Sequence, residues 1–227
     1  MLATIHESQW RWAEAESEFK RALDLAPNSA TAHGGLSDWL LCHGRVEEAL
    51  AWDRRGRELD PVGPYSNVIV WALVNARHYD EAIQEARNAL AIRPDDGYTL
   101  GNYGLALIFN HQVEEAIPVL EKATAVTGRS PGLVSFLVWA YARAGRHADA
   151  LRLLDELKKR QQTGYVPPAA FMNAYLGLGD NNEAFAWLER AYEEQSNVLK
   201  YIKVFPPLDS LRGDPRFQDL IRRVGLN

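Results

Sequence analysis

Four histidines of this 227-residue chain recur at similar intervals, and histidine is the commonest metal-binding side chain of proteins. They are His43, His78, His111 and His147. Each falls in or beside a predicted turn between two helices, and the packing distance of helices places successive turns roughly 10 Å apart. The ligands of one zinc ion must all lie about 2 Å from it. We therefore interpret these histidines as a row of turn residues and expect no metal site.

The other reactive side chain is Cys42, the single cysteine of the chain. Its neighbour His43 does not form a catalytic dyad with it, because adjacent residues of a helix point about 100° apart. One cysteine also forms no intramolecular disulfide. The sequence contains no phosphate-binding glycine loop ending in Lys-Ser/Thr, no His-Glu-x-x-His zinc helix and no Gly-x-Ser-x-Gly elbow. We expect a protein that is not an enzyme and uses no catalytic residues and no cofactor.

The composition restricts the class of protein further. A hydrophobic content of 47% with 24% charged residues is typical of a folded, water-soluble chain. The net charge of −5 disfavours a nucleic-acid partner, because phosphate binding needs clustered Lys and Arg. The first ten residues lack the pattern of a secretion signal, and uncharged stretches such as 97–113 fall short of the ~20 apolar residues of a membrane span. We expect a cytoplasmic protein without a membrane segment.

The positions of alanine reveal an internal repeat. An acidic residue followed by alanine recurs at Glu14-Ala15, Glu48-Ala49, Glu81-Ala82, Glu115-Ala116, Asp149-Ala150 and Glu183-Ala184. The steps between successive alanines are 34, 33, 34, 34 and 34 residues. A constant period of this size is typical of helical repeat solenoids.

Each period contains two helix-length stretches, which we call helix A and helix B. Helix A has bulky residues three or four apart, as at Leu36 and Leu40, and helix B carries the acidic residue and the alanine. Turns with glycine, such as His43-Gly44-Arg45, join A to B. Ser130-Pro131 and Gly63-Pro64 are predicted to begin two A helices. Successive B helices are predicted to end near Pro27, Pro61, Pro94 and Gly128.

The repeated acid-alanine pair has a structural explanation. A small side chain at the start of helix B lets its backbone approach helix A to ~8–10 Å. The carboxylate before it lies in the first turn of helix B, where the positive end of the helix dipole stabilises it by ~0.3–1 kcal/mol. We therefore interpret the recurring carboxylate as a structural device.

Two stretches match a known pattern closely. LVWAYARAGRHADA, from Leu137 to Ala150, and LGLGDNNEAFAWLERA, ending at Ala191, resemble the tetratricopeptide repeat family. The resemblance covers nearly the whole chain. It implies an all-α fold, a right-handed α-α superhelix of about six helix-turn-helix repeats with a C-terminal helical cap. It also implies a protein-protein interaction scaffold or sensor module that binds a peptide or protein in its concave groove.

The same register implies the domain organisation. The solenoid is expected over residues 1–196, and the C-terminal capping helices over residues 197–227. The six repeats are expected at about 1–28, 29–62, 63–95, 96–129, 130–163 and 164–196. The first repeat leaves only residues 1 to about 10 for its helix A, which a missing N-terminal portion would explain.

The tail KVFPPLDSLRGDPRFQDLIRRVGL suggests an alternative function. It resembles the closing segment of tetratricopeptide regions at the C-termini of multidomain bacterial signalling proteins, including winged-helix regulators, serine/threonine kinases and adenylate cyclases. In that alternative, the chain is the regulatory or accessory part of such a signalling enzyme or transcriptional regulator.

Three departures from the family pattern mark weak points. Asp53 replaces the bulky residue usual in helix B, and Gly56 replaces alanine. Pro118 lies inside a helix B, where it is expected to remove a hydrogen bond and introduce a kink.

Transfer of the family register to helix A gives a set of groove residues. The expected peptide-binding groove consists of Asp38, Asn67, Trp71, Asn75, Tyr98, Leu105, Phe109, Trp139, Arg143 and Asn173. Aromatic anchors with polar neighbours suit the recognition of an extended or helical peptide. The alternative is that Trp71 and Trp139 pack into the next repeat as core residues.

The expected partner is a protein or peptide, and the chain itself is expected to be a monomer or a homodimer. The helix A positions with which some family members bind a C-terminal carboxylate contain no lysine in this chain, which disfavours that mode of binding. An RNA-binding solenoid would need a basic inner face, and Arg143 is the only strong cation expected there.

Overall fold

The computed structural model describes residues 2–61, 63 and 65–226. Among these residues the secondary structure is entirely helical, with thirteen α-helices and two short 3-10 helices. The α-helices are α1 (Leu2–Ser8), α2 (Trp12–Leu25), α3 (Ala30–Cys42), α4 (Val46–Leu59), α5 (Tyr65–Ala76), α6 (Tyr79–Ile92), α7 (Gly97–Phe109), α8 (Val113–Val126), α9 (Pro131–Arg143), α10 (His147–Thr163), α11 (Pro168–Leu178), α12 (Asn181–Glu193) and α13 (Pro215–Val224). The 3-10 helices span Asn197–Tyr201 and Pro206–Leu211.

The helices from α1 to α12 form six successive A/B pairs, with A the odd-numbered and B the even-numbered helix. Each helix packs on its partner in the pair and, in most cases, on the next helix along the chain. The A helices α5, α7, α9 and α11 also contact one another in sequence order. This arrangement confirms the prediction of an all-α helical repeat solenoid.

Local sequence signals explain where several helices begin. The side chain of Ser29 accepts a hydrogen bond from the backbone N–H of Ala32 at the start of α3, over 3.3 Å. Asp96 caps α7 in the same way. Helix α9 begins at Pro131, as predicted from Ser130-Pro131, whereas Pro64 of the predicted Gly63-Pro64 start lies outside the described residues.

The turns between A and B helices use the left-handed backbone conformation. Gly44, Gly145 and Gly179 have φ angles of +78°, +73° and +80°, which confirms the predicted role of glycine in these turns. In the other turns a non-glycine residue takes the same conformation, as at Arg77 (φ +64°) and His111 (φ +61°). These two positions accept a small conformational strain that glycine avoids.

The alanines of the repeated acid-alanine pair are all completely buried. They are Ala15, Ala49, Ala82, Ala116, Ala150 and Ala184. Because no solvent reaches these methyl groups, the adjoining helices leave no space for a larger side chain there. The close helix approach predicted from the sequence is therefore present in all six pairs.

Gly56, one of the two departures in α4, is explained by Tyr65. A Cβ atom at position 56 would lie 2.3 Å from the Tyr65 ring, so only glycine fits there. Tyr65 fills this space and donates its hydroxyl to the carbonyl of Ala30. Asp53, one turn earlier in α4, is buried as well, with 1% of its surface exposed. Helix α8 continues through Pro118, which lies on the solvent side of the helix, where water can hydrate the freed carbonyl.

The last helix brings the two ends of the solenoid together. The indole Nε1 of Trp12, in α2, donates a hydrogen bond of 2.8 Å to the carbonyl of Val224 in α13. The ring of Trp10 stacks on Tyr192 of α12 with centroids 5.3 Å apart. Arg223 of α13 pairs with Glu189 of α12 over 2.7 Å. The first and last repeats are therefore joined through α13.

Among the described residues, no helix combines the length and the apolar character that a bilayer crossing requires.

The alanine column gives a stability prediction. Ala150→Leu adds three heavy atoms where α10 meets α9, and we expect overpacking to lower the free energy of unfolding by ~1–3 kcal/mol. Ala116→Leu should act in the same way in α8. Denaturant unfolding monitored by circular dichroism measures the change. Ala148→Leu, at an exposed position of the same helix, is the matched control. Equal midpoints for the position-148 and position-150 variants would contradict this packing account.

Candidate functional site

The chain after α12 crosses the surface that the A helices form, which we call the A-helix face. The segment Asn197–Leu211, containing both 3-10 helices, contacts α3 and α11. Trp71 of α5 packs edge-on against Tyr201, with ring centroids 5.2 Å apart, and lies 5.5 Å from Phe205. Part of the A-helix face is therefore covered by the protein's own tail.

Apolar side chains of this tail segment are almost completely buried. They include Leu199, Ile202, Val204, Phe205, Leu208 and Leu211. Arg77 also binds the segment. Its guanidinium donates a hydrogen bond of 3.3 Å to the carbonyl of Val204 and forms an ion pair of 2.6 Å with Asp209. The segment is thus an integral part of the core.

An ionic cluster lies where the tail meets α1 and α3. The ammonium of Lys200 is 2.5 Å from Asp38 Oδ2 and 3.4 Å from Glu7 Oε2. The hydroxyl of Tyr201 donates to the other oxygen of Asp38 over 2.5 Å. Burial, and after it the adjacent Asp38 carboxylate, raise the pKa of Glu7 to about 7. Asp38 and Lys200 therefore form the central ion pair of the cluster.

Cys42 completes this cluster. Ligand atoms of Glu7, Asp38 and Cys42 lie within 4.8 Å of one another, a spacing compatible with metal binding. The ammonium of Lys200 already supplies positive charge to the two carboxylates. Burial raises the pKa of the Cys42 thiol, and a thiol must lose its proton to bind a metal. We therefore interpret the cluster as an internal ion pair that holds the tail.

Beside the tail, the A-helix face opens into a cleft of about 660 Å³ between α3, α5 and α7. This volume is in the usual range for ligand-binding pockets. Its lining residues come from the three helices, from the end of α4 and from the tail. They are Ala30, Thr31, Gly34 and Asp38 of α3; Asp60, which follows α4; Tyr65, Asn67, Val68 and Trp71 of α5; Tyr98 and Asn102 of α7; and Tyr201 of the tail.

Aromatic and amide groups dominate the chemistry of this cleft. Tyr98 is 73% exposed, so most of its side chain is in contact with solvent. The amide nitrogen of Asn102 donates to the amide oxygen of Asn67 over 2.8 Å, which fixes the orientation of both groups. Asn102 keeps a carbonyl acceptor and Asn67 an amide donor for a further partner. The cleft can therefore offer apolar contact and directed hydrogen bonds together.

The ten groove residues expected from the sequence divide into four that line the cleft and six that lie elsewhere. Asp38, Asn67, Trp71 and Tyr98 line the cleft. Asn75, Leu105, Trp139 and Asn173 are buried, Phe109 is half-buried against Trp139 with ring centroids 5.4 Å apart, and Arg143 is exposed.

The two tryptophans left open by the sequence differ in their surroundings. Trp139 is 4% exposed and packs in the core, with the guanidinium of Arg143 over its ring at 5.3 Å. Trp71 is half-buried, with one part of its ring against the tail and another part in the cleft. A partner can reach Trp71 without unfolding of the A helices.

Sequence reasoning did not select Tyr65, Asn102, Tyr201 and Asp60 for this site. Asn102 follows Tyr98 by four residues on α7, so helical periodicity could have indicated it. Tyr201 comes from outside the repeats, and no sequence signal places it beside α3 and α5. Tyr65 enters the cleft because Gly56 leaves room for its ring.

The four histidines lie at the A-to-B turns, as predicted. His43 is half-buried and stacked on Trp39, with ring centroids 3.9 Å apart, and burial lowers its pKa. His78 lies 3.4 Å from Glu47 of the preceding repeat. His111 and His147 are exposed.

A buried carboxyl group lies behind the cleft wall at Asp53. Both of its oxygens lack a hydrogen-bond partner, because the nearby Ser37 hydroxyl donates to the carbonyl of Ala49 over 3.0 Å. Burial raises the pKa of Asp53 to about 7. A protonated carboxyl group therefore predominates at this position below about pH 7.

Comparison with known proteins identifies the family. One family model described as tetratricopeptide repeat matches residues 1–64 and 68–132, and a second with the same description matches residues 110–166. The chain is a tetratricopeptide repeat protein. A search of curated proteins finds no match to this sequence.

Several solved structures share the fold of this tetratricopeptide repeat protein. A tetratricopeptide repeat protein from Parabacteroides merdae matches with a TM-score of 0.69 and 14% identity, over 99% of this chain and 82% of that one. PilW, a type IV pilus biogenesis factor, matches with a TM-score of 0.64 and 17% identity, over 88% and 93%. PilF of Pseudomonas aeruginosa matches with a TM-score of 0.60 and 17% identity, over 88% and 91%.

At these identities the likeness shows the fold alone. Tetratricopeptide repeats are typically non-enzymatic scaffolds for protein interaction, and the repeats of this chain support that general function.

The ionic cluster predicts a specific dependence on Lys200. Lys200→Met keeps the apolar stem but leaves Asp38 without its cation, and we expect the free energy of unfolding to fall by ~1.5–3 kcal/mol. Lys203→Met is the matched control, because Lys203 lies in the same segment outside the cluster. Denaturant unfolding at neutral pH measures both. If the two variants have the same midpoint, the ion pair does not hold the tail.

Asp53 predicts a pH dependence of stability. Its pKa is about 7 in the folded chain against 3.8 unfolded, so the folded state binds the extra proton between these values. The free energy of unfolding therefore falls as the pH rises through this window and levels off above it. We expect Asp53→Asn to be more stable than the native chain at pH 8 by about 4 kcal/mol, and about equally stable at pH 4.

Urea unfolding at both pH values tests this prediction. Glu7 contributes a smaller dependence of the same sign, which remains in the Asp53→Asn variant. Asp24→Asn, at an exposed position, is the control and should follow the native chain at each pH. If the native chain and the Asp53→Asn variant were equally stable at pH 8, Asp53 would not be held protonated in the folded state.

Proposed function

We propose that this protein is an interaction scaffold that binds an extended segment of a protein partner in the cleft between α3, α5 and α7. The observation that carries the proposal is the exposed aromatic and amide lining of this cleft, with Tyr98 at 73% exposure. Aromatic side chains in pockets supply much of the binding energy of protein interfaces. Tyr98 is exposed to solvent and Trp71 is half-buried, so a partner that covers both rings would gain the free energy of burying them.

The dimensions of the cleft suit an extended peptide. Its lining residues come from three successive A helices, whose axes are expected ~10 Å apart, so a segment across them spans ~20 Å. An extended chain rises about 3.3 Å per residue, and roughly six residues cover that distance. Such a segment meets Gly34 of α3, Val68 and Trp71 of α5, and Tyr98 of α7.

Polar groups of the cleft are suitable for reading a peptide backbone. The acceptor on Asn102 and the donor on Asn67 remain free after their mutual hydrogen bond, and the two amides lie on adjacent helices. A backbone N–H and C=O of an extended partner have the complementary pair of groups. This support is independent of the partner's side chains.

The position of the tail explains why the cleft, and not the whole A-helix face, is the proposed site. Trp139 and Asn173 each have 4% of their surface exposed, and a partner could contact them only after displacement of packed side chains. The tail segment buries its own apolar residues on that face, and its removal would expose them to water. The cleft requires neither change.

Tyr98 offers a clean test of this function. We expect Tyr98→Ala to weaken partner binding about tenfold through lost aromatic contact, with no loss of helicity, because the side chain is already exposed. Tyr165→Ala is the matched control, since Tyr165 is 72% exposed and lies outside the cleft.

The measurement has two steps. Partners are captured from lysate on the immobilised native, Tyr98→Ala and Tyr165→Ala chains, and the affinity of each recovered partner is then measured by calorimetry with all three. A partner that binds the Tyr165→Ala chain as tightly as the native chain, and the Tyr98→Ala chain about tenfold more weakly, supports the cleft. Equal affinities for the three chains would refute it.

A further inference from the structure

We infer that the cleft between α3, α5 and α7 takes a lysine or arginine side chain of its partner. The inference rests on the proposed function, because it specifies the chemistry of the segment that the cleft receives. It follows from the charges and the aromatic rings that line the cleft.

The charged side chains that line the cleft are both acidic. Asp38 lies on α3, and Asp60 precedes α5. No lysine or arginine is among the described lining residues. The carboxylate of Asp38 is neutralised from inside by Lys200, whereas Asp60 is half-buried and forms no ion pair among the described residues. The cleft therefore has an uncompensated negative charge at its rim.

Aromatic rings surround this charge. Tyr65, Trp71, Tyr98 and Tyr201 line the cleft, one or more from each wall. The face of an aromatic ring attracts a cation, and the attraction is stronger where water is partly excluded. A flexible basic side chain can also lay its apolar stem on these rings while its charged end reaches a carboxylate.

The chain holds a cation of its own at the edge of this site. The ammonium of Lys200 contacts Asp38 and lies 5.0 Å from the centre of the Tyr201 ring. Asp38 and Tyr201 thus combine a carboxylate and an aromatic ring around a basic side chain. Asp60, Tyr65 and Tyr98 supply the same combination of a carboxylate and aromatic rings in the open part of the cleft.

The same observations disfavour acidic partners. A carboxylate or phosphate group in the cleft would face Asp60 with no cation in the described lining to neutralise it. An uncharged apolar segment could use the aromatic rings but would leave the Asp60 carboxylate without a partner, at the cost of its hydration. A basic side chain satisfies both features of the cleft.

Two pools of bead-bound random heptapeptides test the inference. The pools differ only at the central position, which is arginine in one and its neutral isostere citrulline in the other. The fluorescently labelled native chain is added at low ionic strength, and the fraction of beads retained is counted. We expect at least fivefold more beads from the arginine pool, and loss of the difference at high salt, where charge attraction is screened.

Two variants assign the effect to the cleft. Asp60→Asn should reduce the preference for arginine to less than twofold, whereas Asp24→Asn, at an exposed position outside the cleft, should keep it. At the end of α4, the backbone N–H of Asp60 donates a hydrogen bond to the carbonyl of Gly56. This bond does not involve the side chain, so we expect the Asp60→Asn variant to fold. Circular dichroism verifies this.

The outcomes separate the inference from the proposed function. Equal retention of the two pools by the native chain, with retention lost in Tyr98→Ala, would overturn the inference and leave the cleft as a peptide site. A preference for arginine that survives Asp60→Asn would also overturn it. Retention of neither pool would overturn both. Preference for a pool with central glutamate, used as a third probe, would assign the cleft to acidic partners.

Discussion

The close approach of helices at the buried alanines is the constraint on which the rest of the structure depends. Where Ala49 or Ala116 meets the facing A helix, no solvent reaches the methyl group, so the two backbones lie as near as helices can. This contact recurs at a constant step and makes each pair a nearly identical unit. Stacking of identical units aligns the A helices on one face, and that alignment creates both the surface that the tail covers and the cleft that remains open.

The tail changes what the A-helix face offers to a partner. A solenoid with an uncovered A-helix face can contact a partner along its whole length. Here the segment Asn197–Leu211 is packed on that face with its apolar side chains buried. The Lys200–Asp38 ion pair and the α13 contact to Trp12 hold the segment at two separated places. The consequence is a protein in which the first and last repeats are connected and a cleft between α3, α5 and α7 stays open on the A-helix face.

The cleft depends on two small departures from a regular repeat. Gly56 leaves the space into which the Tyr65 ring turns, and the buried Asp53 lies beneath the same wall. Tyr201 closes the opposite side from the tail. A regular repeat sequence with alanine at position 56 would clash with the Tyr65 ring, so the irregular second repeat is the one that shapes the candidate site.

The sequence by itself determined the repeating architecture. The 34-residue step of the acid-alanine pairs, the turn glycines and the Ser130-Pro131 start all act through local geometry, within one helix or between adjoining helices, and this is why they could be read directly. The repeat register also placed Asp38, Asn67, Trp71 and Tyr98 on one face. Only the tertiary structure decided which part of that face is open.

The reason is that the path of the tail depends on contacts between distant parts of the chain. Lys200 meets Asp38 across more than one hundred and fifty residues, and α13 meets α2 across more than two hundred. No period or spacing encodes such contacts, since they arise from the shape and charge of surfaces that exist only after the repeats have stacked. The repeat was therefore enough to indicate Asp38, Asn67, Trp71 and Tyr98, whereas the fold alone placed Tyr201 in the cleft and covered the A-helix face elsewhere.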